Sequence, residues 1–198
     1  MPESKHIRLF VAIELPPEVL AALGRTMQVL KTAGVGAGLR WVRPEGIHLT
    51  LKFLGETDEE DLPGVIAALH GVSRQHAPIA VTPGGLGSFG GRRNLRVIWV
   101  GLLTNSDALG QLANGIDSAL EPLGFAREAR AFNPHLTLAR VREDAAPDIR
   151  TRIHNIVSQM TSPNISPFRA TSFSLVESKI RRGGAIYRQV AAFPLEGR

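Results

Sequence analysis

Two segments decide the fold: Trp41–Glu56, WVRPEGIHLTLKFLGE, and Phe132–Arg140, FNPHLTLAR, which share the tetrapeptide His-Leu-Thr-Leu at His48–Leu51 and His135–Leu138. Each copy reads as a strand, since apolar and branched residues run over strand length between glycine or proline stops. On a strand, residues i and i+2 face the same way, so each histidine and its threonine look into one space while the leucines pack behind them. The same parity puts Lys52 on the face of His48 and Thr50. It turns Phe53 and Arg140, each five residues after a motif histidine, away from that face unless the strand bends.

Working outward, His6–Leu15 is a further strand, and Pro16 and Pro17 close it and open a helix over Glu18–Lys31. Gly34, Gly36 and Gly38 make a turn, and Arg40–Arg43 and Gly46–Gly55 are two strands separated by a turn at Pro44. Asp58 is the expected N-cap of a helix over Glu59–Arg74. Ile79–Thr82 is a short strand before the glycine-rich stretch Pro83–Gly91, and Leu95–Gly101 is another strand. Asn105–Gly124 carries leucine and isoleucine at helical spacing. Ala131–Arg140 is a strand, Pro147–Met160 a helix, and Phe168–Glu177 with Ala185–Phe193 a hairpin around Arg181–Gly184. Strand pairs joined by short turns indicate antiparallel sheets with helices on one face, an α+β topology, and no linker divides the chain.

The chain has 198 residues, 43% of them hydrophobic, enough to bury a core. It contains no cysteine, which removes a disulfide framework, a thiolate metal site and a cysteine nucleophile, and makes the cytoplasm the expected compartment. No stretch has the length of a membrane span and no secretory signal opens the sequence. Formal charge is +5, carried by 19 arginines against 4 lysines. The arginine fork matches phosphate oxygens bidentately, so the balance permits a nucleic-acid partner, although codon usage accounts for such an excess equally well. Arginines gather near loops at Arg92, Arg93 and Arg96, at Arg127 and Arg130, and at Arg181 and Arg182; of these, Arg130 is carried forward as a candidate RNA contact.

Imidazole titrates nearest neutrality, so two facing histidines can hold opposite protonation states and act as general acid and general base on a phosphorus centre. Thr50 and Thr137 would donate to the non-bridging oxygens. Either His-X-Thr copy alone is simply a half-buried strand histidine; the pair in matching contexts is what points to chemistry. Two histidines without a third ligand make a poor metal site. His6, His70, His76 and His154 lack a partner motif and are read as structural or surface residues.

These residues resemble the two-histidine (2H) phosphoesterases, specifically the RNA 2',3'-cyclic phosphodiesterases once described as 2'-5' RNA ligases. The likeness rests on RLFVAIELP (Arg8–Pro16), the two segments quoted above, LGSF (Leu86–Phe89), VIWVG (Val97–Gly101) and a closing turn at Gly184–Tyr187. It implies a single domain over residues 1–198, made of two interlocked, pseudo-twofold-related lobes. Each lobe would carry an antiparallel sheet with helices on its outer face, and the motifs would meet in the cleft between them. It further implies a monomer that needs neither cofactor nor metal and hydrolyses a 2',3'-cyclic phosphate, on RNA or a cyclic nucleotide, to a 2'-phosphomonoester. On that pattern His48 is the general acid and His135 the general base. Arg140 would contact the phosphate and Phe53 would stack on or wall off a base. An RNA-end-binding module without turnover and 2'-5' ligation are the alternatives; the first does not need two complete motifs, and the second uses the same residues.

Overall fold

The computed structural model describes residues 5–36, 38–181 and 184–197. In chain order the elements are β1 (His6–Glu14), α1 (Pro17–Thr32), β2 (Leu39–Trp41), β3 (His48–Asp58), α2 (Leu62–Ser73), β4 (Ile79–Phe89), β5 (Val97–Leu103), α3 (Ala108–Leu120), β6 (His135–Val141), α4 (Pro147–Gln159), β7 (Phe168–Ala170), β8 (Ser172–Arg181) and β9 (Gly184–Pro194). They build two antiparallel sheets, one ordered β3-β1-β8-β9 and the other β2-β6-β5-β4-β7. The α+β class is therefore met by two sheets and four helices.

The two halves repeat a strand–helix–motif-strand unit: β1, α1 and β3 in the first, β5, α3 and β6 in the second. The halves also exchange strands. β4 from the first half pairs with β5, and β8 from the second half pairs with β1. β2 and β3, separated by a short 3-10 turn at Pro44–Gly46, enter different sheets, because β2 pairs with β6 while β3 pairs with β1. Segment 39–58 thus stitches the sheets together and lays β3 against β6.

Helix α1 starts where Pro17 presets φ, and it buries Val19, Leu23, Met27 and Leu30 along one stripe. Helix α3 does the same with Leu109, Leu112, Ile116 and Leu120, after which a 3-10 turn leads to Gly124 at φ 90°, a conformation that favours glycine. These stripes share one core with Leu9, Val11 and Ile13 of β1 and with Ile98, Val100, Leu136 and Leu138 of the other sheet. Phe10, Ala12 and Val176 form a separate small cluster on the opposite face of the first sheet.

Several sequence expectations are corrected. Lys52 does not share the face of His48 and Thr50. The register against β1 steps from Thr50 opposite Ala12 to Lys52 opposite Val11, so Leu51 is an extra residue and β3 is bulged. Past the bulge the parity inverts, and Leu51 and Lys52 are both buried. The Lys52 ammonium ion-pairs with Asp117 of α3 and donates to the Ala126 carbonyl at 2.7 Å, while the other Asp117 oxygen accepts from the Glu128 amide at 3.1 Å. Asp58 stands at the N-cap of a 3-10 turn, Glu59–Asp61, that leads into α2, but its side chain makes no capping hydrogen bond and its carboxylate pairs with His6 at 2.8 Å. The glycine-rich stretch is strand through Phe89, because a Cβ at Gly87 would overlap the Trp99 indole of the paired strand. Gly184–Tyr187 is strand rather than turn; Arg182 and Gly183 lie outside the described residues.

The Lys52–Asp117 side chains are only 5% and 12% exposed, so removing one partner strands a charge in the core. We expect Lys52→Met to cost about 3–5 kcal/mol in urea unfolding, and Lys52→Met/Asp117→Leu to recover most of it.

Candidate active site

Both motif strands place their histidine at the first residue, where the chain leaves a glycine or proline turn. The imidazole is fixed in the same way each time. His48 Nδ1–H donates to the Gly46 carbonyl at 2.9 Å and His135 Nδ1–H to the Asn133 carbonyl at 2.7 Å. A carbonyl only accepts, so each ring is held in the tautomer with the proton on Nδ1 and its Nε2 is left for chemistry. Thr50 and Thr137 follow at half-buried positions, and among the described residues neither hydroxyl has an internal hydrogen-bond partner.

The second motif strand repeats the bulge. Opposite β5 the register steps from Thr137 facing Trp99 to Ala139 facing Ile98, leaving Leu138 extra. Leu138 and Ala139 are buried in succession, as Leu51 and Lys52 are. The inversion returns the next residue to the histidine face, which is how Arg140 and Phe53 join the site despite their odd offset. The Arg140 guanidinium stands close enough to both imidazoles to disfavour their protonation. Phe53, 65% exposed, lies 6.2 Å from the ring of Phe10, which itself stacks on His48 at 4.7 Å. Arg130 is not drawn in: its side chain is 86% exposed and pairs with Glu128 at 3.2 Å.

Aromatic walls that sequence reading missed complete the surroundings. Tyr187 meets His48 edge-on at 5.1 Å and Phe10 at 5.4 Å. Phe89 meets His135 edge-on at 4.7 Å, with the Trp99 ring 6.3 Å away. Phe10 and Trp99 lie inside quoted segments; Trp99 stands opposite Thr137, and Phe10 opposite Phe53, two residues from the partner of Thr50. Tyr187 arrives from the far end of the chain, at the end of the quoted Gly184–Tyr187 stretch, whose local sequence does not place it beside His48.

Burial is the main influence on both histidines. It pulls His48 down to about 4, with the Gly46 hydrogen bond opposing and the Arg140 charge adding to the fall; His135 is lowered for the same reasons, its hydrogen bond going to Asn133. Among the described residues no group of three or more histidine, aspartate or glutamate side chains could hold a metal ion, and no helix is long and apolar enough to cross a membrane.

Comparison with known proteins fits this geometry. The model of the LigT like Phosphoesterase family matches twice in tandem, over residues 13–99 and 101–187, one match to each half. An RNA 2',3'-cyclic phosphodiesterase of Thermus thermophilus is 34% identical, covering 96% of this chain and 91% of its own. One of Archaeoglobus fulgidus is 30% identical, covering 94% and 99%. A crystal structure of a Thermus thermophilus protein superposes with TM-score 0.79 at 30% identity over 96% of this chain and 99% of that one. E. coli LigT complexed with 3'-AMP superposes at 0.72 with 26% identity, covering 97% and 99%.

Because the unfolded chain protonates its histidines near pH 6.5 and folded His48 resists to about 4, the unfolded state binds more protons in that interval and stability falls as pH drops through it. Thermal unfolding should show the melting temperature declining between pH 6.5 and 4 in the wild type, and declining less in His48→Gln.

Proposed function

The chain belongs to the LigT-like phosphoesterase family, and from that membership we propose that it hydrolyses RNA 2',3'-cyclic phosphate ends to 2'-phosphomonoesters, with His48 and His135 as its two proton-transfer groups. The observation that carries this reading is the matched pair of imidazoles, each locked with Nε2 free, beside one arginine near enough to influence both.

The cyclic phosphate sits between the motifs. Its non-bridging oxygens accept from the Thr50 and Thr137 hydroxyls and from Arg140, which holds the charge that spreads onto them in the transition state. His135 Nε2 takes a proton from water as the water oxygen bonds to phosphorus. On the opposite side the bond from phosphorus to O3' breaks, and His48 Nε2–H gives its proton to that oxygen. The products are a free 3'-hydroxyl and a 2'-phosphomonoester. His135 then loses a proton to solvent and His48 regains one, which closes the cycle.

Free His48 is largely neutral near neutrality, so its acid role relies on the substrate. A bound phosphodiester anion neutralises the Arg140 charge and favours the imidazolium beside it, raising the His48 pKa in the complex. No step draws on a metal or a cofactor. Both motifs come from one chain, so we read the enzyme as a monomer, one domain of two interlocked lobes. The lack of cysteine supports the cytoplasm as its place. Phe53, exposed beside Phe10, is suited to stacking on the RNA rather than to proton transfer. The extent of Arg130 exposure leaves it at most a backbone contact.

An oligonucleotide ending in a 2',3'-cyclic phosphate tests this in the presence of EDTA. The wild type should release a 2'-phosphate end. His48→Ala and His135→Ala should each lower kcat at least about a thousandfold, and Arg140→Met should lower kcat/KM about a hundredfold. Tight binding of the RNA end without turnover by the wild type would overturn the reading in favour of an end-sensing module.

A further inference from the structure

The two halves carry equivalent backbones around their motifs but different side chains on the strand opposite. Across from His48, Thr50 and Phe53 stand Glu14, Ala12 and Phe10; across from His135, Thr137 and Arg140 stand Gly101, Trp99 and Val97. In the second half the Trp99 indole covers the sheet face, and it can do so because Gly87 and Gly101 beneath it lack side chains; a Cβ at Gly101 would lie 3.2 Å from the ring. In the first half the position equivalent to Trp99 is Ala12, and the space is open. A cavity of about 310 Å³ lies there, with Phe10, Ala12 and Val176 as its floor, Tyr187 and His48 as ring walls, and Glu14 and Glu45 at its polar margin. That volume is at the lower end of the range for small-molecule sites.

Glu14 is set in place by its neighbours. One carboxylate oxygen, Oε2, accepts from Gln189 Nε2 at 2.9 Å and from Ser174 Oγ at 3.3 Å, and Gln189 also donates to Ser174 at 2.8 Å. Oε1 takes no part in these bonds. An open floor bordered by the contacting rings of Phe10, His48 and Tyr187, with an oriented acceptor at its margin, matches a heterocycle that rests on that floor and offers N–H groups along one edge.

We infer that this cavity is a nucleobase site that selects guanine over uracil through the Glu14 carboxylate. Guanine presents N1–H and N2–H side by side to a carboxylate. Uracil presents a single N3–H between two carbonyl oxygens, which the carboxylate repels. The location also fixes a direction. In an in-line displacement the departing O3' and its ribose stand on the side of the general acid, and the open cavity adjoins His48, whereas beside His135 the equivalent position is occupied by Trp99. The inference takes from the proposed function that the phosphate lies between the motifs and that displacement there is in line with acid catalysis.

Binding of guanosine 2'-monophosphate and uridine 2'-monophosphate, measured by calorimetry on the whole chain, tests it without requiring turnover. The wild type should bind the guanosine nucleotide at least about tenfold more tightly, the scale of one good bidentate base contact, and Glu14→Gln should bring the two within about twofold. Rates on the matching 2',3'-cyclic phosphates should rank the same way. Equal affinity of the wild type for both nucleotides, or a preference unchanged in Glu14→Gln, would overturn the base site. A guanosine preference in binding without hydrolysis of either cyclic phosphate would leave the base site standing and overturn the proposed activity.

Discussion

A bulge after each motif threonine turns Leu51 with Lys52, and Leu138 with Ala139, into the core one after the other, and the rest of the site follows from that inversion. Without it a strand would alternate strictly, and Phe53 and Arg140 would point away from the histidines. With it, Arg140 comes onto the histidine face, and its charge disfavours protonation of both imidazoles. The buried side of the first bulge is put to a second use. Lys52 holds Asp117 of α3, and both reach the loop at Ala126 and Glu128 that leads into the second motif, so the two motifs are linked through the core as well as across the cleft.

Segment 39–58 supplies the other constraint. Its strands pair in different sheets although a single 3-10 turn separates them, so the halves cannot separate without breaking a sheet. The repeated unit gives matching backbone geometry around the two motif histidines, which suits the in-line proton transfer we propose. The side chains then break the symmetry: Arg140 against Phe53, Trp99 against Ala12, Gly101 against Glu14. In the proposed reaction the equivalent backbones set the two proton-transfer groups, and the unlike neighbours distinguish the nucleoside side from the water side.

The His-Leu-Thr-Leu repeat was legible because its chemistry and its period of two are both local. β1, α1 and α4 were legible for the same reason, from their proline boundaries and apolar spacing. The bulges were not, since an extra residue shows itself only in the register against a partner strand, and this misplaced Lys52. The stretch from Pro83 to Phe89 read only as glycine-rich, beyond the end of a short strand, whereas Gly87 is small there to admit Trp99 and the strand continues. Tyr187 and Glu14 owe their place to strands brought together from opposite ends of the chain, which no short window of sequence reports.

The most direct test of two-histidine catalysis is the pH dependence of kcat on a nucleoside 2',3'-cyclic phosphate, compared among the wild type, His48→Ala and His135→Ala. A bell for the wild type, loss of the alkaline limb in the residual activity of His48→Ala, and loss of the acidic limb in that of His135→Ala are the expected results, because each variant lacks the group whose titration makes that limb. A wild-type bell retained unchanged in both variants would contradict the account, since the titrating groups would then lie elsewhere.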